Sequence, residues 1–201
     1  METHIYLIRH GETLWNREKR VQGHRDMPLS PEGVEQARRL AEHVKDWPLD
    51  ALYASDLSRA IQTAEWLGRD RDLKVNTSSE IRERFFGEWE GLPIEEVKRR
   101  HPQKWLSIWH QGGQYGVEKA EETRRRMMSW LTTLLERHSG QRVAVVSHGG
   151  SINVVLEQVS GGVYGPGRTR IGNTAVSHLI HHKEEGWRVS AVNRDDHLQM
   201  V

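Results

Sequence analysis

Two histidines in this chain of 201 residues are each followed by glycine at the end of a short apolar run. His10-Gly11 closes the run Ile5 to Ile8 and Arg9, and His148-Gly149 closes the run Arg142 to Ser147. A glycine after the ring lets the chain turn sharply and lets a ligand approach the backbone. Cations gather at the same places. Arg9 precedes His10, and Arg59 falls in the first turn of the helix expected after a second apolar run. Guanidinium forks match the paired oxygens of a phosphoryl group. The helix expected after Gly149-Gly150 adds free N–H groups and a positive dipole end. Two Arg, two His and a helix N-terminus describe a site for a dianion. Transfer of a phosphoryl group needs little beyond positioning, charge neutralisation, an in-line nucleophile and an acid for the leaving oxygen. A neutral imidazole flanked by guanidiniums is held deprotonated near neutral pH and can attack phosphorus. Singly, each piece has a plainer reading, since a histidine after a strand is most often structural and a lone helix arginine is usually solvated. The conjunction is what carries the reading.

The elements that must position these residues alternate. Ile5 to Ile8 reads as a buried strand. Ser30-Pro31 opens a helix, with Ser as N-cap and Pro at its first position, followed by Val34, Ala37, Leu40, Ala41 and Val44 at helical spacing. Asp50 to Ala54 is a second strand, and Ser55-Asp56 is expected to cap the helix carrying Ala60, Ile61, Ala64 and Leu67. Lys74 to Asn76 reads as an edge strand. From Ile81 to Gly116 the pattern is broken by glycine and proline. Glu118 to His138 is a long helix, ended by Gly140. Arg142 to Ser147 is the clearest strand, and Thr174 to Ile180 and Trp187 to Val192 are two late ones. Alternating strands and helices predict an α/β fold, a three-layer α/β/α sandwich with a mostly parallel central sheet. In such sheets ligands bind beyond the carboxyl ends of the strands, which puts both histidines on one edge. The whole of 1–201 is read as one domain, with an irregular, partly helical excursion at about 84–116 over the site.

A net charge of +1 gives no reason to expect a nucleic-acid or membrane partner. The absence of Cys excludes disulfides, thiolate catalysis and Cys-ligated zinc, and fits a cytoplasmic protein. No run approaches the ~18 apolar residues of a membrane helix, and the first residues do not read as a signal peptide.

At these residues the chain resembles the histidine phosphatase superfamily, in its phosphoglycerate mutase-like branch. Arg9-His10-Gly11-Glu12-Thr13 with Trp15-Asn16 is similar to the family's opening signature. Gln22-Gly23 with Asp26 and Pro28-Leu29, and Ser55 to Ala60 with Thr63-Ala64, resemble the next two blocks. Ile81, Glu83 and the stretch Phe86 to Gly91 resemble the block carrying an acid, and Val146 to Gly150 resembles the last, with Asn173 beyond it. The resemblance implies that His10 is the nucleophile and that Arg9, Arg59 and His148 bind the phosphoryl oxygens, with Gly149 beside them. It implies that Glu83 protonates the leaving alcohol and then takes a proton from water. Asn16, Gln22 and Gly23 would lie at the phosphate or substrate edge. No metal or other cofactor is expected, because guanidinium and imidazole supply the positive charge.

The implied function is a metal-independent phosphatase acting on a small phosphorylated metabolite through a phosphohistidine. The alternatives are a phosphoglycerate mutase, which resembles a longer chain, and a non-catalytic phosphoprotein-binding module, against which Glu83 argues. One departure is visible: where relatives read Gly-Glu-Ser, this chain has Gly116-Val117-Glu118-Lys119. Lys119 either meets a second anionic group or is a solvated first-turn residue. Trp105 and Trp109, four apart, either wall a pocket or pack the excursion. His181-His182 is expected in a solvated turn, and the glycine-rich stretch 161–167 in a connection.

Overall fold

The computed structural model describes residues 1–199. Strand β1 spans Glu2–Arg9, followed by the short helix α1 (Leu14–Arg17) and by α2 (Pro31–His43). Next come β2 (Ala51–Ser55), α3 (Ser58–Gly68) and β3 (Val75–Ser78). Two 3-10 turns at Ser79–Ile81 and Gly87–Trp89 lead to α4 (Ile94–Arg100) and α5 (Trp105–Gln111). Then α6 (Ala120–Arg137), β4 (Arg142–Ser147) and α7 (Gly149–Val159) precede β5 (Val176–His182), β6 (Gly186–Arg194) and α8 (Asp196–Gln199).

The strands form one sheet in the order β3-β2-β4-β1-β5-β6, with the first four parallel and β5 and β6 antiparallel to their neighbours. The period-two alternation of the central strands sorts side chains into two cores. Ile5, Leu7, Val143 and Val145 meet Met127 and Leu131 of α6 and Ile152, Val155 and Leu156 of α7. Tyr6, Ile8, Ala144 and Val146 meet Leu40 and Val44 at the end of α2 and Ala60, Ala64 and Leu67 of α3. The three-layer sandwich expected from the alternating elements is the observed fold.

Local differences have physical causes. The segment 84–116 contains α4 and α5, each of seven residues, too short for their period to stand out. They close over a third, smaller core of Val21, Phe86, Trp89, Val97, Ile108 and Val117. Ser55-Asp56 does not cap α3. Its N-cap is Leu57, which offers no side-chain bond, and the carboxylate of Asp26 accepts from the Ser58 N–H at 2.7 Å and its hydroxyl at 2.8 Å. Asp56 instead pairs with Arg82 at 2.6 Å. His181 and His182 lie in β5 rather than in a turn, with the His181 ring against Trp187. Among the described residues no helix is long and apolar enough to cross a membrane.

Candidate active site

β1 and β4 are paired in parallel with Arg9 opposite Ser147, so the residues that follow, His10 and His148, leave adjacent strand ends together. Their ring centroids are 5.0 Å apart, and exposure is 3% for His10 and 0% for His148. The His10 main-chain N–H donates to the Ser147 carbonyl at 3.1 Å, and Gly11 N–H donates to Thr63 Oγ1 at 3.0 Å. His10 Nδ1 lies 2.7 Å from the Gly11 carbonyl. A carbonyl only accepts, so Nδ1 carries the proton. Burial, then the charges of Arg59 and Arg9, hold the His10 pKa well below 6.5. A neutral ring with its proton on Nδ1 leaves a lone pair on Nε2, the form a nucleophile requires.

The cations are held by backbone carbonyls. Arg59, only 1% exposed, donates from Nη1 to Arg25 O at 2.8 Å and from Nη2 to Gly23 O at 2.7 Å. Burial lowers its pKa to about 10, which leaves it charged at neutral pH. Arg9 donates from Nη1 to Ile171 O at 2.6 Å. Polar atoms are left over: Arg9 Nε, Arg59 Nε and both ring nitrogens of His148, one of which carries a proton in the neutral ring, are buried with no partner among the described residues. Leaving a buried polar group unpaired costs about 1–3 kcal/mol, more when it is charged. An oxyanion between these groups removes that penalty at several atoms together. Burial and the charge of Arg59 also hold the His148 pKa well below 6.5.

Glu83 faces the same cavity. Its Oε1 accepts from Arg84 N–H at 2.8 Å and Ser151 N–H at 3.0 Å, and its Oε2 from Gly150 N–H at 3.0 Å, so it occupies the N-terminus of α7. Gly150 lets the carboxylate come this close, since a Cβ would stand 2.6 Å from Glu83 Oε1 and push the side chain away. Two arginines brace the strand of chain that carries Glu83. Buried Arg84 donates to the carbonyls of Trp109 and Glu118 at 2.6 and 2.9 Å. Arg126 donates to the carbonyls of Glu80, Arg82 and Glu83 and pairs with Glu118 at 2.9 Å.

Beside these groups lies a cavity of about 280 Å³. His148 is not on its wall but buried behind His10, ring centroids 5.0 Å apart. Arg9, His10, Arg59 and Glu83 form one part of its wall, and Arg20, Val21, Phe86, Trp109, His110 and Asn153 another. Gln22 and Gly23 also line it. Gly23 sits at φ +53, where a Cβ would collide with the Glu90 carboxylate. Gly149 lies outside the lining, against the Arg9 side chain. Asn16 is also outside it: its amide oxygen accepts from Thr13 N–H at 3.1 Å and caps α1. Of the two tryptophans, Trp109 lines the cavity with its ring tilted against Phe86, centroids 4.8 Å apart, while Trp105 lies under Lys98. Lys119 is the N-cap of α6, where its N–H donates to Glu122 at 3.1 Å, and it borders a separate open groove. Four lining residues are not singled out by sequence, Arg84 and the loop residues Pro166, Gly167 and Thr169, and neither is Arg126, which lies outside the lining and borders the separate groove. Nothing local marks an arginine as a carbonyl clamp. The glycine-rich stretch was the available signal for the loop.

Two buried histidines and two carbonyl-held arginines at the carboxyl ends of the parallel strands make a cationic pocket that can hold a phosphoryl group. Residues 5–195 match the histidine phosphatase superfamily (branch 1), and the chain belongs to that family. It is 35% identical over 196 residues to the uncharacterized phosphatase PhoE of Bacillus subtilis (strain 168), covering 98% of this chain and 97% of that protein. It is 31% identical over 209 residues to the probable phosphoglycerate mutase GpmB of Yersinia pestis (strain Pestoides F), covering 98% and 95%. Among solved structures, the phosphoserine phosphatase of Entamoeba histolytica in complex with 3-phosphoglyceric acid superposes with a TM-score of 0.84 at 28% identity, covering 98% of this chain and 99% of that one.

Proposed function

We propose that the protein is a metal-independent phosphomonoesterase that hydrolyses a small phosphorylated metabolite in the cytoplasm through a phosphohistidine on His10. The observation that carries this reading is the neutral His10 ring, fixed through Nδ1–H on Gly11 O, beside the unpaired donors of Arg9, Arg59 and His148. In the first step His10 Nε2 attacks phosphorus in line and the P–O bond to the alcohol breaks. The three non-bridging oxygens keep their charge and are met by Arg9, Arg59 and His148, so the guanidiniums take the place a divalent ion holds elsewhere. The leaving oxygen takes a proton from Glu83. In the second step Glu83 accepts a proton from water, the oxygen attacks phosphorus, the P–N bond breaks, and inorganic phosphate leaves with the ring restored.

Residues 84–116 are read as the cover that selects the leaving group, since Phe86, Trp109 and His110 stand on the cavity wall. A mutase reading is kept alive by the similarity to GpmB. The experiment that tests the proposal is a panel of phosphorylated metabolites ranked by kcat/KM, run with and without EDTA and with and without bisphosphoglycerate. Turnover of a monoester to inorganic phosphate, indifferent to both additions, is expected. Activity restored to stripped protein only by a divalent ion, or isomerisation dependent on bisphosphoglycerate, contradicts it.

A further inference from the structure

A hydrogen-bonded path joins the last helix to the backbone of the nucleophile. His197 of α8 is buried, and its Nε2 lies 2.8 Å from Thr174 Oγ1. The Thr174 hydroxyl has one proton, which goes to the Asn173 carbonyl at 2.7 Å. The contact to His197 must therefore be a donation from the ring, Nε2–H to Oγ1. Thr174 is β-branched yet sits at φ +56, a conformation that surrounding contacts have to impose. In that conformation its N–H points at both the Arg9 carbonyl (3.0 Å) and the His10 carbonyl (3.3 Å), while Asn173 Nδ2 donates to the His10 carbonyl at 3.0 Å. His197 does not line the catalytic cavity. It borders a different one, of about 320 Å³, with Tyr6, His43, Trp47 and His178.

We propose that His197 is a positioning residue for His10: its bond to Thr174 Oγ1 holds the left-handed turn at 173–174, and that turn fixes the His10 carbonyl. The direction of the ring follows, because among the described residues the hydrogen bond of the His10 side chain is to Gly11 O, one residue along the same backbone, and its other neighbour is the His148 ring. Removing the imidazole frees Thr174 to leave φ +56 and loosens the His10 carbonyl. A shift of order 1 Å in an attacking atom can lower a rate by about 10²-fold. The groups of Arg59 and His148 that would bind phosphate stay where they are, so the loss falls on the rate of the first chemical step and not on the dissociation constant of the substrate.

This inference rests on the phosphohistidine reading, and the experiment separates the two. Phosphoryl transfer from p-nitrophenyl phosphate to His10 is measured under single turnover in the wild type, His197→Ala and His197→Gln, with Tm and the proton NMR signal of the His10 ring recorded for each. Gln places an amide NH2 near the position of Nε2–H. A slower first step in His197→Ala at an unchanged half-saturating substrate concentration, a displaced His10 ring signal, and recovery of both rate and signal in His197→Gln are expected. An unchanged first step and ring signal in His197→Ala overturn the inference, as does a Gln variant that recovers Tm but neither rate nor signal. If the wild type forms no phosphohistidine, the functional reading fails, while the ring signal still decides whether His197 positions His10.

Discussion

Glu83 and Gly150 meet through a 3.0 Å bond from the glycine N–H to Oε2, and a Cβ on Gly150 would stand 2.6 Å from Oε1, so a larger residue there would displace the carboxylate. The carboxylate thus holds the start of α7 and faces the cavity where a leaving oxygen would lie. Both of its oxygens receive backbone N–H groups, so substitution changes the helix terminus as well as the chemistry.

Glu83→Gln is expected to slow hydrolysis of alkyl phosphates by about 10²–10⁴-fold, the usual worth of general acid catalysis. Aryl phosphates, whose leaving groups need little protonation, should lose much less in the first step. Gln can turn only one oxygen toward the donors, so its NH2 opposes a backbone N–H, at a cost of about 1–3 kcal/mol. Tm must therefore be read beside the single-turnover rates. An equal loss for both substrate classes would assign Glu83 to holding α7 rather than to proton transfer.

Arg59 is spanned by two carbonyls that fix its plane, and its Nε has no partner among the described residues, so the proposed role for it is to meet an oxyanion there. Arg59→Lys retains charge but cannot reach both carbonyls and an oxyanion at once. A loss of about 10²–10³-fold in kcat/KM is expected, comparable to removing one oxyanion donor elsewhere. Vanadate affinity should fall with it. Near-wild-type vanadate binding in Arg59→Lys would contradict the assignment.

The pH dependence follows from the histidines. His10 is held well below 6.5, chiefly by burial, so its protonation should not limit kcat/KM until the pH is well under that value. His178 and His197 are both lowered to about 4, again chiefly by burial, and His148 is lowered as well. The unfolded chain binds protons near pH 6.5 that these folded rings refuse, so their contribution is complete above 6.5 and is lost as pH falls below it. Tm should therefore drop between about pH 7 and about pH 5. A flat Tm over that range would mean that the rings take up protons without unfolding.

The parts of this fold that follow from local pattern were legible in the residues. The apolar runs ending at His10 and His148 marked two sheet strands, and Ser30-Pro31 marked the start of α2, where Ser30 Oγ does accept from Gly33 N–H at 3.1 Å. What pattern could not supply was pairing. That β1 and β4 are neighbours, with Arg9 opposite Ser147, is a long-range fact on which the closeness of the two rings depends. The cap of α3 by Asp26 and the clamps of Arg84 and Arg126 are contacts between distant segments, invisible to any local rule. Asn16 was placed by resemblance at the substrate edge. Its amide is taken up in capping α1 and in a 3.4 Å contact from Asn173.

The central claim is a covalent phosphoryl group on His10, and trapping it tests the account most directly. The protein is mixed with a labelled phosphomonoester, quenched in alkali within one turnover, and mapped by mass spectrometry of its peptides. The account predicts an acid-labile phosphoryl group on the peptide carrying His10, formed and lost at rates consistent with kcat, and absent in His10→Ala together with turnover. Full turnover in His10→Ala, or a label on another residue in the wild type, would contradict it.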